Sequence, residues 1–325
     1  MIPMIPNAGR MSNRARILAP LAAFASVALG GTISSALASD NRRRVVATTG
    51  QVGDLARIVG GEHVDVRALM GPGVDPHLFK ASEQDVIDLI ESDIIMYSGL
   101  HLEGNLGEVL EQAAKRIPVS EVSDGIPEDQ LIQPEDDAFD GNPDPHFWFD
   151  PTLWAHAADE AARALADLDG DNADAYLANA EAYKVRLDEL DAYAMEQFSR
   201  IPVQSRILVT AHDAFGYLGR RYGLDVVGLQ GISTATEAGV RDVQSIADLL
   251  VANEVRAIFV ETSVPERTIE AVQVASRDRG WDVEVGGSLY SDAMGDDGTD
   301  EGTYLGMMRY DVDTIVAGLS GEESE

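Results

Sequence analysis

The chain has 325 residues, with 24 Lys and Arg against 56 Asp and Glu, and no Cys. That length is enough for two ordinary domains with a sizeable core, and 45% hydrophobic with 25% charged residues is the composition of a folded globular protein. A formal net charge of −32 excludes the basic surface that nucleic acid or an anionic membrane face demands, and without thiols there are no disulfides, thiolate metal sites, cysteine nucleophiles or Cys-linked lipids.

Arg10, Arg14 and Arg16 precede an apolar run from Ile17 to Gly31, and Ala36-Leu37-Ala38 follows. This order of basic, apolar and small residues reads as a secretory signal peptide over 1–38. The run falls short of the roughly 20 apolar residues of a membrane span, and no Arg-Arg pair points to twin-arginine export. The expected mature chain starts near Ser39, is exported, and has no Cys at its start to carry a lipid. A periplasmic location follows. The acidic excess fits solvation at high salt, where screening relieves self-repulsion.

Beyond the leader, short β-branched runs alternate with amphipathic stretches. Val45–Thr48, Val64–Leu69 and Ile94–Tyr97 read as strands, with a fourth near Pro118–Val122. Helices are expected over Val52–Val59, closed by Gly60-Gly61, from Ser82 through Ile90 with Asp85 completing a cap, and over Leu106–Ala114. Residues 123–145, rich in acid and holding Pro127, Pro134, Pro143 and Pro145, read as a long surface loop. Pro151 opens a helix to Leu168. Asn172–Phe198 lacks Gly and Pro and repeats apolar residues at helical spacing, one long helix suited to a rigid connector. Strands at Arg206–Thr210, Asp225–Leu229, Ala257–Val260 and Val283–Val285 then alternate with helices at Ala214–Tyr222, Thr236–Asn253, Arg267–Arg279 and Tyr304–Leu319.

The fold class expected is α/β, with mostly parallel sheets flanked by helices. The divisions are an N-terminal lobe at 39–170, a connecting backbone helix at 171–200 and a C-terminal lobe at 201–325. Ligands of such sheets bind at the carboxyl ends of strands, in a crevice.

The loops and strand ends facing that crevice carry the chemistry. His77 follows Asp75-Pro76, His146 follows Asp144-Pro145, His212 closes a strand before Asp213, and Asp292 lies shortly after the last strand. Three imidazoles and one carboxylate from four separate segments suit a divalent metal. Asp75, Asp144 and Asp213 are placed to orient the imidazoles from behind, and Glu261, at a strand end, reads as a hydrogen-bonding carboxylate. His63 reads as surface, His101 as a residue able to line the cleft, and His156 as packing beside Trp154. There is no His-Glu-x-x-His motif, no phosphate-cradling loop and no Gly-x-Ser-x-Gly elbow.

Taken together, Gly-x-Asp-Pro-His at 73–77, Asp-Pro-His-x-Trp-x-Asp-Pro at 144–151, Thr-Ala-His-Asp-Ala-Phe-Gly-Tyr at 210–217, Gly-Leu-Gln-Gly-Ile-Ser-Thr at 228–234, Phe-Val-Glu-Thr-Ser-Val at 259–264 and Leu-Tyr-Ser-Asp-Ala-Met-Gly at 289–295 resemble the TroA-like zinc/manganese solute-binding proteins of ABC transporters. The resemblance covers nearly the whole mature chain. It implies two lobes joined by a long helix, with one ion held by His77 and His146 from the first lobe and His212 and Asp292 from the second. It implies a binding protein with no turnover, a monomer that delivers its ion to an ABC permease and ATPase. The 123–143 stretch lacks the His-rich loop frequent in zinc-specific members, His212 stands where many manganese members have Glu, and the Ser291–Gly295 segment looks most like the manganese branch. Mn²⁺ is the expected cargo and Zn²⁺ the alternative. The competing classes are a secreted metallohydrolase with Glu261 as base, and an adhesin with a structural metal.

Overall fold

A computed structural model describes residues 42–321 apart from 135–138 and 140; the leader read at 1–38, and part of the acidic loop, lie outside the described residues. Val45, Val46 and Ala47 are all buried, as a strand covered on both faces requires. They lie in β1 (Arg43–Ala47), which pairs in parallel with β2 (Val64–Ala68) and β3 (Ile94–Tyr97). β3 pairs in parallel with β4 (Val119–Glu121), giving the order β2-β1-β3-β4.

The helices start where local chemistry supplies a cap. Thr49 Oγ1 accepts from Val52 N at the head of α1 (Gly50–Gly60). Ser82 and Asp85 form a reciprocal capping box on α2 (Glu83–Ile90). α3 (Gly107–Ala113) follows. α4 (Pro151–Leu168) begins at a proline behind Asp150, whose carboxylate accepts from Thr152 N. α5 (Ala173–Phe198) has 26 residues, a rod of about 39 Å at the usual rise.

Beyond α5 come β5 (Ile207–His212), α6 (Gly216–Tyr222), β6 (Asp225–Gln230), α7 (Val240–Asn253), β7 (Ala257–Glu261), α8 (Arg267–Arg277), β8 (Glu284–Leu289) and α9 (Tyr304–Ser320). β5 pairs in parallel with β6, and β7 with β8, as two separate ribbons, and β5 also contacts β7. Gly228 on β6 is a close-approach position. A Cβ there would lie 2.4 Å from Asp213 N, so the missing side chain lets β6 pass against the turn that follows His212.

A single apolar cluster runs through α1, α4, α5 and α9, with Leu55, Trp154, Tyr183, Leu187, Tyr304 and Met308 fully buried. α2 and α3 cover the other face of the first sheet through Leu89 and Leu110 against Val46 and Ile95. A third cluster sets α7 and α8 against Val209 and Ile258. The described residues form one compact unit, and the main core continues across α5 without a break. Among them, no helix is long and apolar enough to cross a membrane.

The element order matches the sequence reading; most ends move by one or two residues, and two move further. α7 starts at Val240, not Thr236, because Gly239 N donates to Asp242 Oδ2 and Thr234 turns away to bond Asp75. β8 extends from Glu284 to Leu289, past the expected Val285, through a register shift opposite Ile258 and Phe259 that accommodates Gly286 and Gly287.

Candidate metal centre

Asp75-Pro76-His77 and Asp144-Pro145-His146 build the same local turn. Asp75 Oδ1 accepts from His77 N at 2.8 Å, and Asp144 Oδ1 accepts from His146 N at 2.9 Å. Asp144 Oδ1 also lies 2.7 Å from His146 Nδ1, which places the proton on Nδ1 and turns Nε2 inward. Asn105 Nδ2 donates to the His77 carbonyl. His212 stands at the end of β5, next to Glu261 at the end of β7. Glu261 Oε1 accepts from His212 N at 2.8 Å, and Oε2 lies 2.5 Å from Nδ1. A carboxylate behind an imidazole fixes its tautomer and raises its basicity as a ligand.

Asp292 follows β8 by three residues, and the neighbouring Ser291 anchors it. The Ser291 carbonyl accepts from Trp148 Nε1 at 3.2 Å and Gln51 Nε2 at 3.5 Å, and its hydroxyl lies 2.9 Å from that of Ser263. Two of these donors precede α5, so the Asp292 turn is held from the far side of the connecting helix.

These segments converge on one buried point. His77, His146, His212 and Asp292 each offer a ligand atom within 4.8 Å of the others, and all four side chains are buried. His77 Nε2 lies 3.4 Å from His146 Nε2 and 3.9 Å from Asp292 Oδ2; His146 Nε2 lies 3.3 Å from Asp292 Oδ1, and His212 Nε2 lies 3.3 Å from Asp292 Oδ2. A tetrahedron with metal–ligand bonds near 2.1 Å has edges of about 3.4 Å, so the spacing is that of a cage for one ion. His212 Nε2 and both Asp292 oxygens have no partner of hydrogen-bond geometry among the described residues. Buried polar atoms are otherwise almost always satisfied, and a cation would supply what these lack.

Electrostatics separates the three imidazoles. Burial pushes His77 down to about 3, with Asp292 only partly opposing it and the other imidazoles adding to it. Burial also works against charge on His146, but Asp144 and Asp292 outweigh it and push it up to about 9. His212 is raised well above the ordinary range, because Glu261 and Asp292 overcome its burial. Asp292 is depressed, its desolvation outweighed by His212 and His146.

Of the residues singled out in the sequence, the four expected ligands come together, and Asp144 and Glu261 orient His146 and His212. Asp75 holds the backbone of His77, not its ring. Asp213 makes no hydrogen bond to an imidazole among the described residues; its N–H goes to the Gly231 carbonyl, and burial beside Asp144 raises its carboxyl. His63 packs edge-on against Tyr176, His156 is half-buried on α4, and His101 is exposed beside Phe139, outside the cluster. Trp148 lies within the 144–151 motif, and its ring lies 5.2 Å from that of His146, a contact the sequence alone does not reveal. Gln51 stands in none of the quoted motifs and Thr234 only closes the one at 228–234; no role for either is legible in the sequence, since their partners are remote in the chain.

A family model described as ZnuA, zinc-uptake complex component A, periplasmic, matches residues 45–318. The manganese-binding lipoprotein MntA of Bacillus subtilis (strain 168) is 46% identical over 299 residues, covering 91% of this chain and 96% of its own. The manganese ABC transporter substrate-binding lipoprotein PsaA of Streptococcus mitis is 29% identical, covering 87% and 91%. The solved structure of the periplasmic zinc binding protein TroA from Treponema pallidum superposes with a TM-score of 0.83 at 43% identity, covering 86% of this chain and 99% of that one.

Proposed function

The chain belongs to the ZnuA family of metal-uptake proteins, with relatives that are metal-binding components of ABC transporters, and from that premise we propose that it captures one divalent cation between His77, His146, His212 and Asp292 and delivers it to a membrane permease driven by an ATPase. The observation that carries this reading is the buried cage itself, with His212 Nε2 and both Asp292 oxygens left without partners. Two ligands precede α5 and two follow it. The complete set therefore forms only when the lobes at 39–170 and 201–325 are correctly placed about the 171–200 helix, and the ion favours that arrangement by its differential affinity for it. The permease releases the ion by separating the ligands.

Mn²⁺ is the proposed cargo and Zn²⁺ the alternative. Zn²⁺ outranks Mn²⁺ at most nitrogen and oxygen sites, so preference for Mn²⁺ must come from geometry. The two free oxygens of Asp292 support bidentate binding and a coordination number above four, which Zn²⁺ disfavours. A monodentate, four-coordinate Mn²⁺-loaded crystal structure would contradict this. The relatives themselves divide, MntA being named for manganese and TroA for zinc. The protein acts as a monomer in the periplasm after loss of residues 1–38. A metallohydrolase reading needs a base beside bound water, and both oxygens of Glu261 are engaged with His212.

Calorimetric titration of the metal-free protein with Mn²⁺, followed by displacement with Zn²⁺, tests the proposal. Tight one-to-one Mn²⁺ binding, lost in His212→Ala, supports a manganese importer component. Tight Zn²⁺ binding with negligible Mn²⁺ binding makes zinc the cargo. Binding of neither overturns the transport reading.

A further inference from the structure

Asp75 spends its oxygens differently from its twin Asp144. Asp144 Oδ1 serves both the backbone and the ring of His146. Asp75 Oδ1 serves the His77 backbone, while Oδ2 accepts a 2.5 Å hydrogen bond from Thr234 Oγ1. Thr234 belongs to residues 231–239, between β6 and α7, on the other side of α5. Most of that segment is exposed, but Ile232 and Thr234 are buried. This is also where a helix expected from Thr236 is delayed to Val240, leaving a stretch of bends and turns that reaches the His77 turn. The same turn is approached by a second segment of the C-terminal half, for a Cβ on Gly73 would lie 3.5 Å from the Thr262 carbonyl.

We infer that Thr234 is a positioning residue for the metal cycle: through Asp75 it latches the His77 turn onto the C-terminal half, and so controls how fast a bound ion leaves. The inference rests on the reading of His77 as a metal ligand. The geometry explains why the latch acts on His77. Asp144 and Glu261 hold His146 and His212 by their rings, whereas His77 is held by the backbone of a turn whose remaining anchors are Asn105 on its own side and Thr234 across the cleft. Breaking the Thr234–Asp75 bond frees that turn to withdraw its imidazole while the other three ligands stay in place.

The test is stopped-flow metal binding and chelator-driven release, with Mn²⁺ and separately Zn²⁺, on wild type, Thr234→Val, Thr234→Ser and Asp75→Ala. Thr234→Val keeps the shape and removes the donor, so release should accelerate about tenfold, the scale of one hydrogen bond to a charged group, while the association rate stays unchanged. Thr234→Ser should restore slow release. In an Asp75→Ala background, Thr234→Val should have no further effect. Release from Thr234→Val at the wild-type rate, failure of Ser to rescue, or an equal effect with and without Asp75 each overturn the latch while leaving the functional reading intact. Absence of metal binding by wild type overturns both.

Discussion

In the proposed site, a proton and a metal ion compete for His146. With His146 pushed up to about 9 and His212 well above the ordinary range, both imidazoles are protonated at neutral pH without the ion and must lose their protons to bind it. His77, pushed down to about 3, is already neutral. Affinity should therefore rise with pH from neutrality towards about 9, with roughly one to two protons released per ion; calorimetry in buffers of different ionisation heat measures that number. The linkage to stability has the opposite sign for His146. Its raised value stabilises the metal-free fold fully below about 6.5, and that contribution is lost as pH rises through about 9. Glu261→Gln removes the charge behind His212 and should weaken metal binding about 10- to 100-fold without loss of the fold, as titration and circular dichroism would show. Two of the four proposed ligands, His77 and His146, stand out in the sequence because Asp-Pro-His is a local device that needs no knowledge of the fold; His212 and Asp292 stand out only by their places at and after strand ends. No role is legible in the sequence for Gln51, Trp148 or Thr234, because each acts on a residue more than a hundred positions away.

At the scale of elements, strand ends deliver the site and helices fix the strands. His212 and Glu261 close β5 and β7, and α9 ties the second half back to the first. Tyr304 N donates to Asp54 Oδ2 on α1, and Tyr304 Oη donates to the Trp148 carbonyl at 2.7 Å. Tyr304→Phe leaves that buried carbonyl unpaired and should cost about 1–3 kcal/mol, read as a shift in the denaturation midpoint. Ser82→Ala, which breaks the exposed capping box of α2, should cost about 1 kcal/mol and leave metal affinity unchanged in the same titration. α4 could be read from Pro151 to Leu168 because both ends carry local signals, a proline at the head and Asp-Gly at the tail. The separation of β5-β6 from β7-β8 could not, because strand pairing is settled by contacts between distant segments, and the start of α7 was misplaced because a tertiary hydrogen bond to Asp75 overrode local propensity.

For the whole molecule, the continuous core and the buried cage make different demands. The apolar cluster crossing α1, α4, α5 and α9 does not depend on an ion, so chelation should lower the melting temperature without unfolding the chain. Saturating metal, at a hundred times its dissociation constant, should add about 2.7 kcal/mol. Calorimetric scans with and without chelator check both. Loss of the native fold on chelation would instead fit a structural metal. The charge of −32 predicts a melting temperature that climbs as NaCl rises from millimolar to molar, because screening relieves repulsion; a flat profile would remove the high-salt reading of the composition.

The paired Asp-Pro-His turns carry a last consequence. Each closes within three residues, by a carboxylate on the backbone N–H of its own histidine, and proline has already narrowed the choices of the unfolded chain. Two of the four proposed ligands thus sit on turns that are closed locally, without an ion. A designer could carry the tripeptide as a cassette to another loop, and would inherit a histidine whose backbone is already set, with its ring and the choice of ion left to whatever stands around it.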